Sequence, residues 1–180
     1  MNHQIIRKET LYFGRAFNVQ AVEMELPNGR QVTYDLVDHL GSITIVPVDA
    51  LGNLYFVRQY RLAANGMLLE LPAGVLEENE DPLVGAGREI REETGLAAGT
   101  LHKLGEVYLA PGYSNEHMVI YLATDLYPAP LDADDDEFLE LEIIPCKEAF
   151  QKALTGQIAD SKTLAALLLA QPYLAKHFQL

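Results

Sequence analysis

The chain has 180 residues, about half of them apolar, one cysteine and a net charge of −13. That size suits one domain, or one domain with a small appendage, and the apolar share supports a sizeable core. The lone Cys146 excludes an intrachain disulfide and a cysteine zinc cluster. No apolar run reaches membrane-spanning length. The acidic balance argues against nucleic acid, whose phosphates demand a basic surface.

In chain order, MNHQIIRKET has no apolar h-region of a secretory signal, which together with the cysteine usage points to the cytoplasm. Residues 4–12 read as a strand. FNVQAVEMEL and RQVTYDLV flank Pro27-Asn28-Gly29, a strong hairpin signal over 17–37. Val19, Ala21 and Met24 suggest apolar surface on that hairpin that needs cover. SITIVPV (42–48) and LYFVRQY (54–60) are further strands around Gly52-Asn53. A helix runs between Asp81-Pro82, an N-cap followed by proline at the first helical position, and Gly95, its stop. Strands are expected at 101–109, 117–126 and 139–146. Helices are expected at 147–154 and 161–170, with Gly156 as a stop and Asp160 or Ser161 as a cap. This order predicts an α+β sandwich, with residues 1–40 as an N-terminal β-appendage and 41–180 as the main domain.

The central helix carries the chemistry. Leu83, Ala86, Gly87 and Ile90 form an apolar face at helical spacing. Glu89, Glu92 and Glu93 lie at i, i+3 and i+4, so their carboxylates share another face. Hard oxygen ligands so grouped suit Mg²⁺ or Mn²⁺. Arg88 can pair with Glu92 at i, i+4 and hold the group in shape. The bland alternative is a solvated acidic helix face.

The frame around these residues decides between the two. Gly74, Glu80, Arg88, Glu89, Glu92, Glu93 and Gly95, with Ile90 and Leu96 at aliphatic positions, match G-x(5)-E-x(7)-R-E-U-x-E-E-x-G-U at every position. At roughly 7% per fixed residue, such a match arises by chance about once in 10⁸ starting points. The pattern resembles the signature of the Nudix hydrolases, and the resemblance extends from about residue 10 to 170. It implies a Nudix-type α/β/α sandwich with a mixed β-sheet, preceded by an antiparallel β-appendage. It also implies cleavage of a nucleoside diphosphate linked to another group, with divalent metal.

Leu71-Pro72-Ala73-Gly74 before the helix, and Pro111 at 15 positions after Leu96, resemble the ADP-ribose pyrophosphatase branch. That branch implies metal held by Glu89, Glu92, Glu93 and the Ala73 carbonyl, with Glu92 and Glu93 in the catalytic group. Arg61 matches the family's phosphate-binding arginine; its bland reading is a surface arginine paired with a carboxylate. Pro111 and Gly112 would contact substrate, although a Pro-Gly pair is also an ordinary turn.

The stretch 132–142 is strongly acidic. A calcium loop begun at Asp132 fails, because Glu137 and Ile143 stand where glycine and glutamate are required. In relatives, a glutamate at this point is proposed as the base that activates water. Glu137 is the first choice and Asp135 the alternative; a solvated acidic loop is the bland reading.

Phe17 lies near where relatives stack adenine, but reads as core. Arg58 reads as surface, Cys146 as core, and the histidines show no ligand spacing. The resemblance also implies a homodimer built on the N-terminal strands. The expected substrate is ADP-ribose, cleaved to AMP and ribose 5-phosphate. The alternatives are another nucleotide sugar such as GDP-mannose, or a Nudix-fold sensor that binds a nucleotide without cleaving it.

Overall fold

The computed structural model describes residues 2–132, 138–178 and 180. By their contacts the residues form two units, Met1–Gly41 with Tyr108–His117, and Ser42–Val107 with Met118–Leu180.

The first unit is a three-stranded antiparallel sheet of β1 (Gln4–Phe13), β2 (Asn18–Glu25) and β3 (Gln31–Asp38), in that order. The β2–β3 turn forms where Asn28-Gly29 predicts it. Gly29 takes φ 80° and its N–H donates to the Leu26 carbonyl at 2.8 Å, the left-handed geometry that glycine adopts without a steric penalty. Val19, Ala21 and Met24 are half-buried. Strongly exposed apolar side chains include instead Ile5, Leu11, Tyr12 and Phe13 on β1 and Tyr34 on β3. Phe17, expected in the core, is 42% exposed, because it lies in the short β1–β2 connection rather than on a packed strand face. The segment 108–117 docks on β3. The Val37 N–H donates to the Tyr113 carbonyl at 2.7 Å, and the Asn115 N–H donates to the Val37 carbonyl at 3.2 Å.

The second unit opens with β4 (Ser42–Pro47) and β5 (Asn53–Arg61), then a 3-10 turn at Leu62–Ala64. β6 (Gly66–Glu70), β7 (Ala73–Val75), α1 (Pro82–Thr94), β8 (Leu96–Tyr108) and β9 (His117–Pro128) follow. β10 (Glu140–Pro145), α2 (Cys146–Leu154) and α3 (Ser161–His177) complete the chain. One sheet has the order β7-β4-β9-β8 and is mixed, with β4 parallel to β9 and antiparallel to β7. The other has the order β10-β5-β6 and is antiparallel. The architecture is thus the expected α+β with a mixed sheet.

β4 is buried at every position, as a strand covered on both faces must be. Ile43 and Ile45 pack with Val119, Tyr121 and Ala123 of β9 against Ala86 and Ile90 of α1. Thr44 and Val46 alternate to the opposite face, and α3 also packs on β4.

Three features depart from the sequence pattern. Leu83 is 48% exposed, and Gly85 is buried instead. A Cβ on Gly85 would lie 2.6 Å from Leu76, so the loop before α1 closes over that turn and displaces the apolar stripe. β8 begins at Leu96, well before the expected start, because the chain re-enters the sheet directly after the Gly95 stop. α3 continues past Pro172 to His177. Proline cannot donate to the Leu168 carbonyl, but Leu168 is exposed and water can serve it, while Leu174 is fully buried and anchors the last turn.

Candidate active site

α1 is built by its ends. The Asp81 side chain accepts from the Leu83 N–H at 2.8 Å, Pro82 opens the helix, and Gly95 closes it at φ 72° with its N–H on the Arg91 carbonyl. Caps of this kind satisfy backbone groups that the helix leaves without partners.

Next to the buried Ala86–Ile90 stripe of the helix the glutamates meet Arg88, which is a hub. Its Nε and Nη2 form a fork on Glu80, at 3.1 and 3.0 Å. Its Nη1 donates to Glu89 Oε1 at 2.7 Å and to Glu92 Oε2 at 2.9 Å. The expected Arg88–Glu92 pair therefore exists within a larger network that includes Glu80. One guanidinium offsets the repulsion among neighbouring carboxylates. Its hydrogen bonds hold the Glu80 carboxyl below the usual carboxylate range, and the same bonds to Glu80 raise the Arg88 pKa further.

The carboxylates are tied to the strand before the helix. Glu89 and Glu93 are both buried. Glu93 Oε2 accepts the Ala73 N–H at 3.1 Å. The Glu89 carboxylate sits where a side chain at position 74 would begin: a Cβ on Gly74 would lie 1.9 Å from Glu89 Oε1 and 2.1 Å from its carboxyl carbon. Gly74 has no positive φ, so space rather than backbone geometry selects glycine here. β7 holds this segment in place by pairing Ala73 and Gly74 with Thr44 and Ile43.

At the end of β5, Arg61 makes a fork on Glu70, with Nε to Oε1 at 2.8 Å and Nη2 to Oε2 at 2.7 Å. Glu70 is 1% exposed. A buried carboxylate needs paired charge, and Lys162 of α3 also donates to Glu70 Oε2. Burial alone would raise the Glu70 pKa, but the Arg61 hydrogen bonds and Lys162 outweigh it and leave the carboxyl below its ordinary range. The hydrogen bonds to Glu70 raise the Arg61 pKa, and the field of Glu93 reaches Arg61 as well. Sequence reasoning named Asp160 as a cap candidate of α3, which it is, and missed Glu70 and Lys162. No local signal marks them, since 92 positions separate Glu70 from Lys162. Arg58, read as surface, forms a pair with Glu142 of β10 at 2.8 Å. Cys146 is core as expected, its thiol pushed up to about 11 chiefly by burial.

The NUDIX domain family model matches residues 38–167. The chain belongs to the NUDIX domain family. It is 31% identical to an ADP-ribose pyrophosphatase of Bacillus subtilis, over 93% of this chain and 91% of that protein. It is 37% identical to an ADP-ribose pyrophosphatase of Mycobacterium tuberculosis, over 92% of this chain and 81% of the relative. A crystal structure of an ADP compounds hydrolase superposes with a TM-score of 0.87 at 26% identity, covering 100% of this chain and 98% of that one. The Nudix-type fold expected from the signature is the fold observed.

Within this Nudix frame, the structure brings together Ala73, Gly74, Glu80, Arg88, Glu89, Glu92 and Glu93. Pro111 and Gly112 fall in the first unit, in the segment that docks on β3. Glu137 and Asp135 lie outside the described residues.

The donor set suits a divalent cation. It consists of carboxylate oxygens on one helix face beside the backbone of Ala73-Gly74, and the gap that a Cβ at position 74 would fill admits Glu89. Among the described residues the carboxylates do not close on one point. Glu89 and Glu92 share Arg88 Nη1, while Glu93 turns to Ala73. Arg88 can give up the Nη1 contacts and keep its two-bonded fork on Glu80, so a cation can replace one guanidinium nitrogen without undoing the hub.

Proposed function

We propose that the protein hydrolyses the pyrophosphate bond of ADP-ribose, releasing AMP and ribose 5-phosphate, in the presence of Mg²⁺ or Mn²⁺. The observation that carries this reading is the seating of Glu89 against Gly74 and of Glu93 on the Ala73 N–H. That arrangement fixes buried carboxylates at the signature's own glycine, and a solvated acidic face would have no use for it.

Glu89, Glu92, Glu93 and the Ala73 carbonyl would hold the metal. Bound there, a divalent ion neutralises diphosphate charge and lowers the pKa of water. Arg61 binds and orients a phosphate, since a guanidinium matches phosphate oxygens in shape and charge. Glu137 takes the proton of the attacking water. The water oxygen bonds to phosphorus, and the bridging oxygen leaves with the other phosphate. Pro111 and Gly112 line the substrate. A chain of net charge −13 needs these local cations to receive an anion.

Residues 1–40 serve as a dimerisation appendage to a Nudix domain over 41–180. The exposed Leu11, Tyr12 and Phe13 of β1 support a homodimer, since apolar clusters on a surface mark interfaces and two-fold closure is the commonest assembly. No helix among the described residues is long and apolar enough to cross a membrane. A cytoplasmic enzyme without a nucleic-acid partner fits the acidic composition and the single cysteine.

The test is turnover of ADP-ribose, GDP-mannose and other nucleotide diphosphate compounds with Mg²⁺ or Mn²⁺. ADP-ribose should give the highest kcat/KM. Binding without hydrolysis under both metals would make the protein a sensor and overturn the proposal.

A further inference from the structure

The charged group around Glu70 contains a member that the proposed chemistry leaves unused. Lys162 lies in the first turn of α3 and is 8% exposed. Its ammonium is hydrogen-bonded to Glu70 Oε2 and lies 2.9 Å from Asp160 Oδ2. The same Glu70 oxygen accepts Arg61 Nη2. Asp160 also caps α3 by accepting the Thr163 N–H at 2.9 Å, and Thr163 Oγ1 accepts the Leu71 N–H at 2.8 Å. The start of α3 is thereby fastened to the strand end that leads into Pro72-Ala73-Gly74.

We propose that Lys162 is a positioning residue for substrate binding: through Glu70 it fixes the Arg61 guanidinium and keeps its charge available to a phosphate. The inference rests on the reading of Arg61 as the phosphate-binding arginine.

Two features support it. The first is geometric. Arg61 spends Nε and Nη2 on Glu70, and its Nη1 makes no hydrogen bond among the described residues. Arg61 is 42% exposed at its side chain while Glu70 is 2% exposed, so the guanidinium is anchored on its inner edge and open on its outer one. Holding the anchor still therefore holds the open edge still, and Lys162 is the second donor on that anchor.

The second is charge. Arg61 and Lys162 balance Glu70 and Asp160. Without Lys162, both carboxylates act on Arg61 alone, and the field of Asp160 does reach it. A neutral group becomes a net anion beside the position where an anionic substrate must bind. That loss acts on bound substrate and transition state alike, so it appears in KM rather than in kcat.

The experiment is steady-state kinetics on ADP-ribose with Mg²⁺, on the full chain, with thermal melts of every variant. Lys162→Met should raise KM about tenfold, the worth of one charge-assisted contact, with a much smaller change in kcat. Lys162→Arg, which keeps the charge, should recover most of the loss. Asp160→Asn retains an N-cap and removes a carboxylate, so it should lower KM; this variant, with Lys162→Arg, decides the matter if Lys162→Met does not fold. In an Arg61→Ala background, Lys162→Met should raise KM much less, because only the charge change remains and there is no guanidinium to position. An equal rise with and without Arg61 would show Lys162 to be merely structural and sink this inference alone. A wild-type KM in Arg61→Ala itself would remove the phosphate role of Arg61, and the inference with it.

Discussion

Replacing Gly74 by alanine puts a methyl group where the Glu89 carboxylate lies. The new Cβ would stand 1.9 Å from Glu89 Oε1, and restoring an ordinary contact of 3.4 Å moves that oxygen by about 1.5 Å. The obstructed group is the far end of a flexible side chain, so the fold can absorb the change. Gly74 has no positive φ, so alanine suits the backbone there. It narrows the unfolded ensemble by about 0.4–1 kcal/mol in favour of folding. Against this stands the hydrogen bond from Arg88 Nη1 to Glu89, worth about 1–3 kcal/mol. The melting temperature should therefore fall by no more than about 10 °C. Catalysis should respond far more strongly. A catalytic group displaced by about 1 Å can cost 10²-fold in rate, and Glu89 is a proposed metal ligand. We expect ADP-ribose turnover to fall at least about 10²-fold and the Mg²⁺ requirement to rise, with the protein still folded at the assay temperature. Full turnover at the wild-type Mg²⁺ dependence would refute the reasoning, because it would mean that the seating of Glu89 on Gly74 has nothing to do with metal.

Glu93→Gln should lower kcat at least about 10²-fold while the fold survives, since a charge that acts chiefly in the transition state is lost and the Ala73 N–H keeps an acceptor; near-native turnover would remove Glu93 from the metal group. Glu137→Gln should cut kcat and leave KM almost unchanged, since its carboxylate would act on water rather than on bound substrate, and Asp135→Asn should do much less; the opposite ranking in the same assay would give the role of base to Asp135. The Arg88 hydrogen bonds hold the folded pKa of Glu80 below its ordinary 4.5. Its stabilising contribution is therefore complete above that pH and lost as pH falls through the folded value. Melts from pH 6 to pH 3 should accordingly show a shallower acid-side decline for Glu80→Gln than for the wild type. Light scattering at micromolar concentration should give a dimer, and a mass near 20 kDa would mean that the apolar side chains of β1 do not pair.

What the sequence determined by itself is what near neighbours control. Asp81-Pro82 and Gly95 delimit α1 because capping is chemistry within a turn of the helix end. Asn28-Gly29 sets the β2–β3 turn because few residues accept its geometry. The spacing of Glu89, Glu92 and Glu93 places them on one face because the helical period is fixed, and Arg88 reaches Glu92 across one turn. The tertiary structure alone decided which of these carboxylates are buried and what they touch. Glu89 needs Gly74, Glu93 needs the Ala73 N–H, and both depend on β7 adding to the edge of β4. The short strands β6 and β7 carry too few residues to show a period, so only pairing with β5 and β4 defines them. The Arg61–Glu70–Lys162 group joins a strand end to a helix start far along the chain. Burial of Leu174 likewise carries α3 through Pro172, where local propensity would stop it. In each case the deciding partner is distant in sequence, and local periodicity holds no information about which distant segment the fold brings alongside.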